Sequence, residues 1–94
     1  MEKIRVLIVD DSALMREALK SIIEQDPAIE VAGLAKDGKE GVEKALMLKP
    51  DVITMDLKMP MMSGLEAIEA IMEELPIPII VVSGMDITVI VKAL

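Results

Sequence analysis

The stretch Asp51-Val-Ile-Thr-Met-Asp56-Leu-Lys-Met-Pro60-Met-Met-Ser-Gly64 decides how the whole chain is read. Val52 to Met55 is a short, mostly apolar run with the length and branching of a buried strand. It delivers one carboxylate, Asp56, at its C-terminal end, with Pro60 and Gly64 following close behind. Open α/β sheets bind their ligands outside the carboxyl ends of the strands. Asp56 therefore occupies a functional location by geometry alone.

Working outward, the same pattern recurs on both sides. Ile4 to Val9 is an apolar run interrupted only by Arg5 and followed at once by Asp10 and Asp11. Ser12 offers an N-cap, and Leu14, Met15, Ala18, Leu19, Ile22 and Ile23 recur at helical spacing to form one stripe. Asp26-Pro27 stops this helix, and Ile29 to Ala35 reads as a weaker strand suited to a sheet edge. Asp37-Gly38 signals a turn before a second helix, from about Lys39 to Lys49, with Val42, Ala45, Leu46 and Leu48 inward. Ser63-Gly64-Leu65-Glu66 opens a third helix with a capping-box pattern, burying Leu65, Ile68, Ile71, Met72 and Leu75. Pro76 and Pro78 precede a fourth strand, Ile79 to Val82, ending in Ser83-Gly84. Ile87 to Leu94 is read as a short final helix, although its Ile, Thr and Val make it a poor one.

The order β-α-β-α-β-α-β-(α) implies an α/β fold with a parallel sheet, right-handed crossovers and helices on both faces. A flavodoxin-like strand order 2-1-3-4 is expected, with the switch point between the first and third strands. Asp10, Asp11 and Asp56 end those two strands. Two independent readings thus converge on one pocket.

Composition narrows the chemistry. The 94 residues make at most one small domain, without Cys, His or any aromatic residue, and with nine Met. Disulfides, thiolate or imidazole metal sites, and His- or Cys-based catalysis are excluded within the chain. A formal net charge of −7 argues against nucleic acid and against anionic membrane. No apolar run approaches a membrane span and the N-terminus does not resemble a signal peptide, so a cytoplasmic domain is expected. The methionines read mainly as core filler, with Met59, Met61 and Met62 after Asp56 the ones placed to face a partner.

Three carboxylates at neighbouring strand ends repel one another unless a cation neutralises them. Carboxylate, carbonyl and water ligands suit Mg²⁺, and Mg²⁺ so held commonly engages phosphate oxygens. An aspartate can also be the nucleophile that forms an aspartyl phosphate. The plain alternative is that Asp10 and Asp11 cap the first helix and Asp56 is a solvated strand end. A phosphohydrolase of the haloacid-dehalogenase kind is disfavoured, because Asp10 and Asp11 are adjacent and no later acidic pair follows. A nucleotide-binding turn fails for want of glycines in Asp10-Asp11-Ser12.

Ile8-Val9-Asp10-Asp11-Ser12, Asp51-Val-Ile-Thr-Met-Asp56 with Lys58-Met-Pro60 and Gly64, and Ile80-Val-Val-Ser83 together resemble the receiver domain of two-component response regulators. Asp10 through Arg16, Asp37-Gly38 and Pro50 through Asp56 are most similar to the receivers at the front of chemotaxis protein-glutamate methylesterases. The resemblance implies that Asp56 is the phosphoacceptor, phosphorylated by a histidine kinase or a small phosphodonor. It implies Mg²⁺ on Asp11 and Asp56, with Asp10 acting mainly through water and the Lys58 backbone carbonyl completing the protein ligands. Ser83 matches the hydroxyl that hydrogen-bonds the acyl phosphate. Methylesterase activity is not expected, since it would need a separate catalytic domain.

The resemblance runs from Ile4 to about Ser83, and the family's fifth-strand lysine and last helix have no counterpart before Leu94. A receiver truncated before its fifth strand is therefore expected. Ile79 to Val82 would then be an open edge, favouring self-association through that edge or the C-terminal segment. Without the lysine, phosphorylation should be slow. A phosphorylation-impaired interaction module is the alternative reading.

Overall fold

The computed structural model describes residues 2–83 and 86–90, with backbone alone at 83, 86 and 87. The elements are β1 (Ile4–Val9), α1 (Ala13–Ile23), β2 (Ile29–Ala35), α2 (Gly38–Leu48), β3 (Val52–Met55), α3 (Gly64–Glu74), β4 (Ile79–Ser83) and β5 (Asp86–Ile90). Each helix starts where a side chain can accept a free N–H of its first turn. Ser12 accepts from Met15, Asp37 from Glu40 and Ser63 from Glu66, the last in a complete capping box. α2 ends on Lys49 in the left-handed region (φ 46°), where its N–H reaches Ala45 O.

The sheet order is β2-β1-β3-β4-β5. The first four strands run parallel, with Val9 opposite both Ala35 and Met55. This is the flavodoxin-like order expected, with β2 at an edge. The C-terminal stretch corrects the expectation of a helix. Residues 86–90 form a strand antiparallel to β4, pairing Ile79 with Ile90, Ile80 with Val89 and Val81 with Thr88. Ile87-Thr88-Val89-Ile90 is continuously β-branched, and such side chains favour a pleated surface over a helix. This is not the parallel fifth strand of the family, but it occupies the free side of β4. The expected self-association through an open Ile79–Val82 edge therefore loses its basis.

The core lies on one face of the sheet. Leu7, Val9, Ile53, Met55, Ile79 and Val81 pack there against Ala45 of α2 and Ala67, Ile68 and Ile71 of α3. The other face carries α1, which has no fully buried residue. The expected six-residue stripe of α1 is only partly buried: Leu14 is 80% and Ile22 63% exposed, while Leu19 and Ile23 are half-buried. A single helix on that face leaves its flank without a neighbour among the described residues. Leu65 of α3 and Leu46 of α2, expected inward, are likewise exposed.

Candidate functional site

The site is built on two paired strand ends. Val9 and Met55 face each other across β1 and β3, and Asp56 N–H donates to Val9 O at 3.0 Å. Asp10 N–H donates to Ala35 O at 3.0 Å, tying the next residue of β1 to β2. Both backbones are thus fixed where the carboxylates emerge. Asp10, Asp11 and Asp56 each offer an oxygen, and these oxygens lie within 4.8 Å of one another. Asp10 is buried, Asp56 half-buried and Asp11 exposed.

The surrounding contacts orient the cluster. Asp10 Oδ1 accepts from Ser12 N–H at 2.9 Å, so this carboxylate also shapes the start of α1. Arg16 Nη1 donates to the backbone oxygen of Asp10 at 2.8 Å, one helical turn after the N-cap. Asp56 Oδ1 accepts from Lys58 N–H at 3.2 Å. Burial raises the Asp56 carboxyl above the usual carboxylate range, against the lowering effect of the Lys58 N–H, and the charges of Asp10 and Asp11 push it further up.

The oxygen-only donor set suits a hard divalent cation. Three carboxylates converging from adjacent strand ends offer the oxygen ligands that Mg²⁺ prefers. The residues present fit such an ion, and one cation would relieve the part of the Asp56 shift that comes from the Asp10 and Asp11 charges.

The loop after Asp56 is closed by Gly64, whose N–H donates to Leu57 O at 3.0 Å. Met59 and Met62 of this loop pack against the core, whereas Met61 is 93% exposed and has a positive φ of 70°. Gly38 matters to the same loop. A Cβ there would stand 2.6 Å from Met62 O, so Asp37-Gly38 marks a close approach of α2 to the loop as well as a turn. Ser83 ends β4, beside β3, but its side chain lies outside the described residues. Asp51, at the other end of β3, is engaged with Arg5: its Oδ2 accepts from Arg5 N–H at 2.8 Å. Arg16 was not singled out by sequence reasoning, because a side chain reaching a backbone carbonyl six residues earlier leaves no local pattern.

Comparison with known proteins agrees with this geometry. The response regulator receiver domain family matches residues 6–94. Protein-glutamate methylesterase/protein-glutamine glutaminase 2 of Carboxydothermus hydrogenoformans is 65% identical over 85 residues, covering 90% of this chain and 24% of that protein. The chain spans about a quarter of the length of such relatives, and no methylesterase catalytic region falls within it. Among solved structures, the response regulator domain of Thermotoga maritima CheB superposes with a TM-score of 0.85 at 57% identity, over 87% of this chain and 61% of that one. The CheX-CheY-BeF3-Mg²⁺ complex from Borrelia burgdorferi gives 0.80 at 32% identity, over 87% and 63%. Sequence match, strand order and strand-end carboxylates all lead to one conclusion: this chain belongs to the response regulator receiver domain family, of the kind found in the CheB methylesterases.

Proposed function

We propose that this receiver domain is phosphorylated on Asp56 in a Mg²⁺-dependent reaction, as part of a cytoplasmic chemotaxis two-component pathway. The observation that carries this reading is the convergence of Asp10, Asp11 and Asp56 oxygens within 4.8 Å at the ends of two paired strands. In this reading Asp11, Asp56 and the Lys58 carbonyl hold the ion, and Asp10 acts through water. When bound, Mg²⁺ supplies charge neutralisation and an anchor for phosphoryl oxygens. A relative, the Borrelia CheY, has been solved in a complex with BeF3 and Mg²⁺.

An Asp56 oxygen attacks the phosphorus of a phosphohistidine on a histidine kinase, or of a small acyl phosphate. The new P–O bond forms as the bond to the donor breaks, and the electron pair leaves with the imidazole or the carboxylate. The Lys58 N–H orients the attacking carboxylate, and the backbone bonds from Asp10 and Asp56 fix the strand ends before reaction. Ser83 ends β4, the strand beside β3, and is the residue proposed to hydrogen-bond the acyl phosphate once it has formed on Asp56.

Isothermal titration with Mg²⁺ tests the ligand set. Binding to the parent chain that is lost in Asp11→Asn supports it; unchanged affinity in that variant contradicts it.

A further inference from the structure

A groove of about 700 Å³ lies between α3 and Ile90 of β5, and none of Asp10, Asp11 and Asp56 lines it. Met62, Ala70, Met72 and Ile90 supply its apolar lining, and Glu66, Glu69 and Glu73 its acidic rim. The position follows from the fold. Ile90 pairs with Ile79 and so points to the α3 side of the sheet, where it packs against the core. The wall of the groove is a helix of one charge sign: α3 carries Glu66, Glu69, Glu73 and Glu74 and no Lys or Arg. Glu69 and Glu73 stand one turn apart, where like charges repel, and Glu73 and Glu74 lie at the helix end whose dipole is already negative. Among the described residues the ion pairs are Arg5 with Glu30 and Lys44 with Glu40, so none neutralises this rim.

We propose that this groove docks a basic amphipathic helix of a protein partner. An apolar trough beside an acidic stripe that forms no ion pair among the described residues is complementary to a helix with leucine-like residues on one face and Lys or Arg flanking it. From Glu66 to Glu73 the rim rises about 10 Å at 1.5 Å per residue, which matches two turns of a helix lying alongside α3. Cations from the partner would relieve both the Glu69–Glu73 repulsion and the unfavourable charge at the end of α3. Met62 joins the groove to the loop that leaves Asp56, and of the methionines read as partner-facing it is the one that lines the groove. The proposal does not depend on phosphorylation.

The test is fluorescence anisotropy of the 94-residue chain with a labelled amphipathic helical peptide of leucine and lysine, beside a scrambled peptide of equal charge. Saturable binding is expected, weakening as salt rises, and about tenfold weaker or more in Glu69→Lys/Glu73→Lys. Glu17→Lys/Glu43→Lys changes net charge equally at exposed sites on α1 and α2, and should bind as the parent does. Equal loss in both double variants, or equal binding of the scrambled peptide, would reduce the effect to bulk charge and overturn the proposal. A dimer of the parent that Ala70→Arg converts to monomer would assign the groove to a second copy, and would overturn it too.

Discussion

Gly64 is packed against the carbonyl of Asp56: a Cβ at Gly64 would stand 2.3 Å from Asp56 O and 2.7 Å from Leu57 Cα. Both obstacles are backbone, so neither can rotate away. The loop carrying Lys58 is thereby closed onto the strand end, and this closeness explains a glycine at the first position of α3.

Gly64→Ala should therefore displace the loop from Asp56. The expected cost is about 1–3 kcal/mol, the range for forcing extra volume into a packed site. Chemical denaturation measures it, and Mg²⁺ titration of the folded variant should show weakened binding. A variant with parental stability and parental Mg²⁺ affinity would contradict this role.

Asp56 makes metal-free stability depend on pH in a defined direction. Its folded carboxyl holds a proton to higher pH than in the unfolded chain, because burial and the Asp10 and Asp11 charges disfavour ionisation. Between the unfolded and the folded pKa, the folded state binds more protons, so stability falls as pH rises through that window. Below the window the penalty is absent; above it the penalty is complete. Asp56→Asn should flatten this part of the profile and be the more stable protein at neutral pH without Mg²⁺. Denaturation of both proteins across the acidic range checks it, and parallel profiles would contradict it.

Thr54 is 7% exposed, and its Oγ1 has no hydrogen-bond partner among the described residues. It stands between Ile8 and Ile80 on the face that carries α1. A buried hydroxyl without a partner costs about 1–3 kcal/mol in desolvation. Thr54→Val, which keeps the branched shape and suits a strand, should stabilise the fold by about 1 kcal/mol on that basis. Thermal unfolding measures the gain; a loss of stability would show that the hydroxyl is satisfied.

Much of this architecture was legible because local periodicity and global layering agree. Ile4–Val9, Ile29–Ala35 and Val52–Met55 were bounded correctly, since turn residues and N-caps flank each apolar run. The placing together of Asp10, Asp11 and Asp56 followed from strand order alone. Three things were not legible. The residues 86–90 pair as a strand, for which their β-branching was the available signal, overridden by the rhythm of alternating elements. The apolar stripe of α1 showed amphipathicity but not which neighbours would be present to cover it. Arg16 on the Asp10 carbonyl and Gly64 against Asp56 are tertiary contacts, invisible until the chain is folded.

Intact mass after incubation with Mg²⁺ and acetyl phosphate, beside Asp56→Asn, tests the central claim most directly. A gain of one phosphoryl group in the parent, absent in the variant and absent when Mg²⁺ is chelated, is the predicted result. A folded parent that takes up no phosphoryl group, or an adduct that persists in Asp56→Asn, would contradict it.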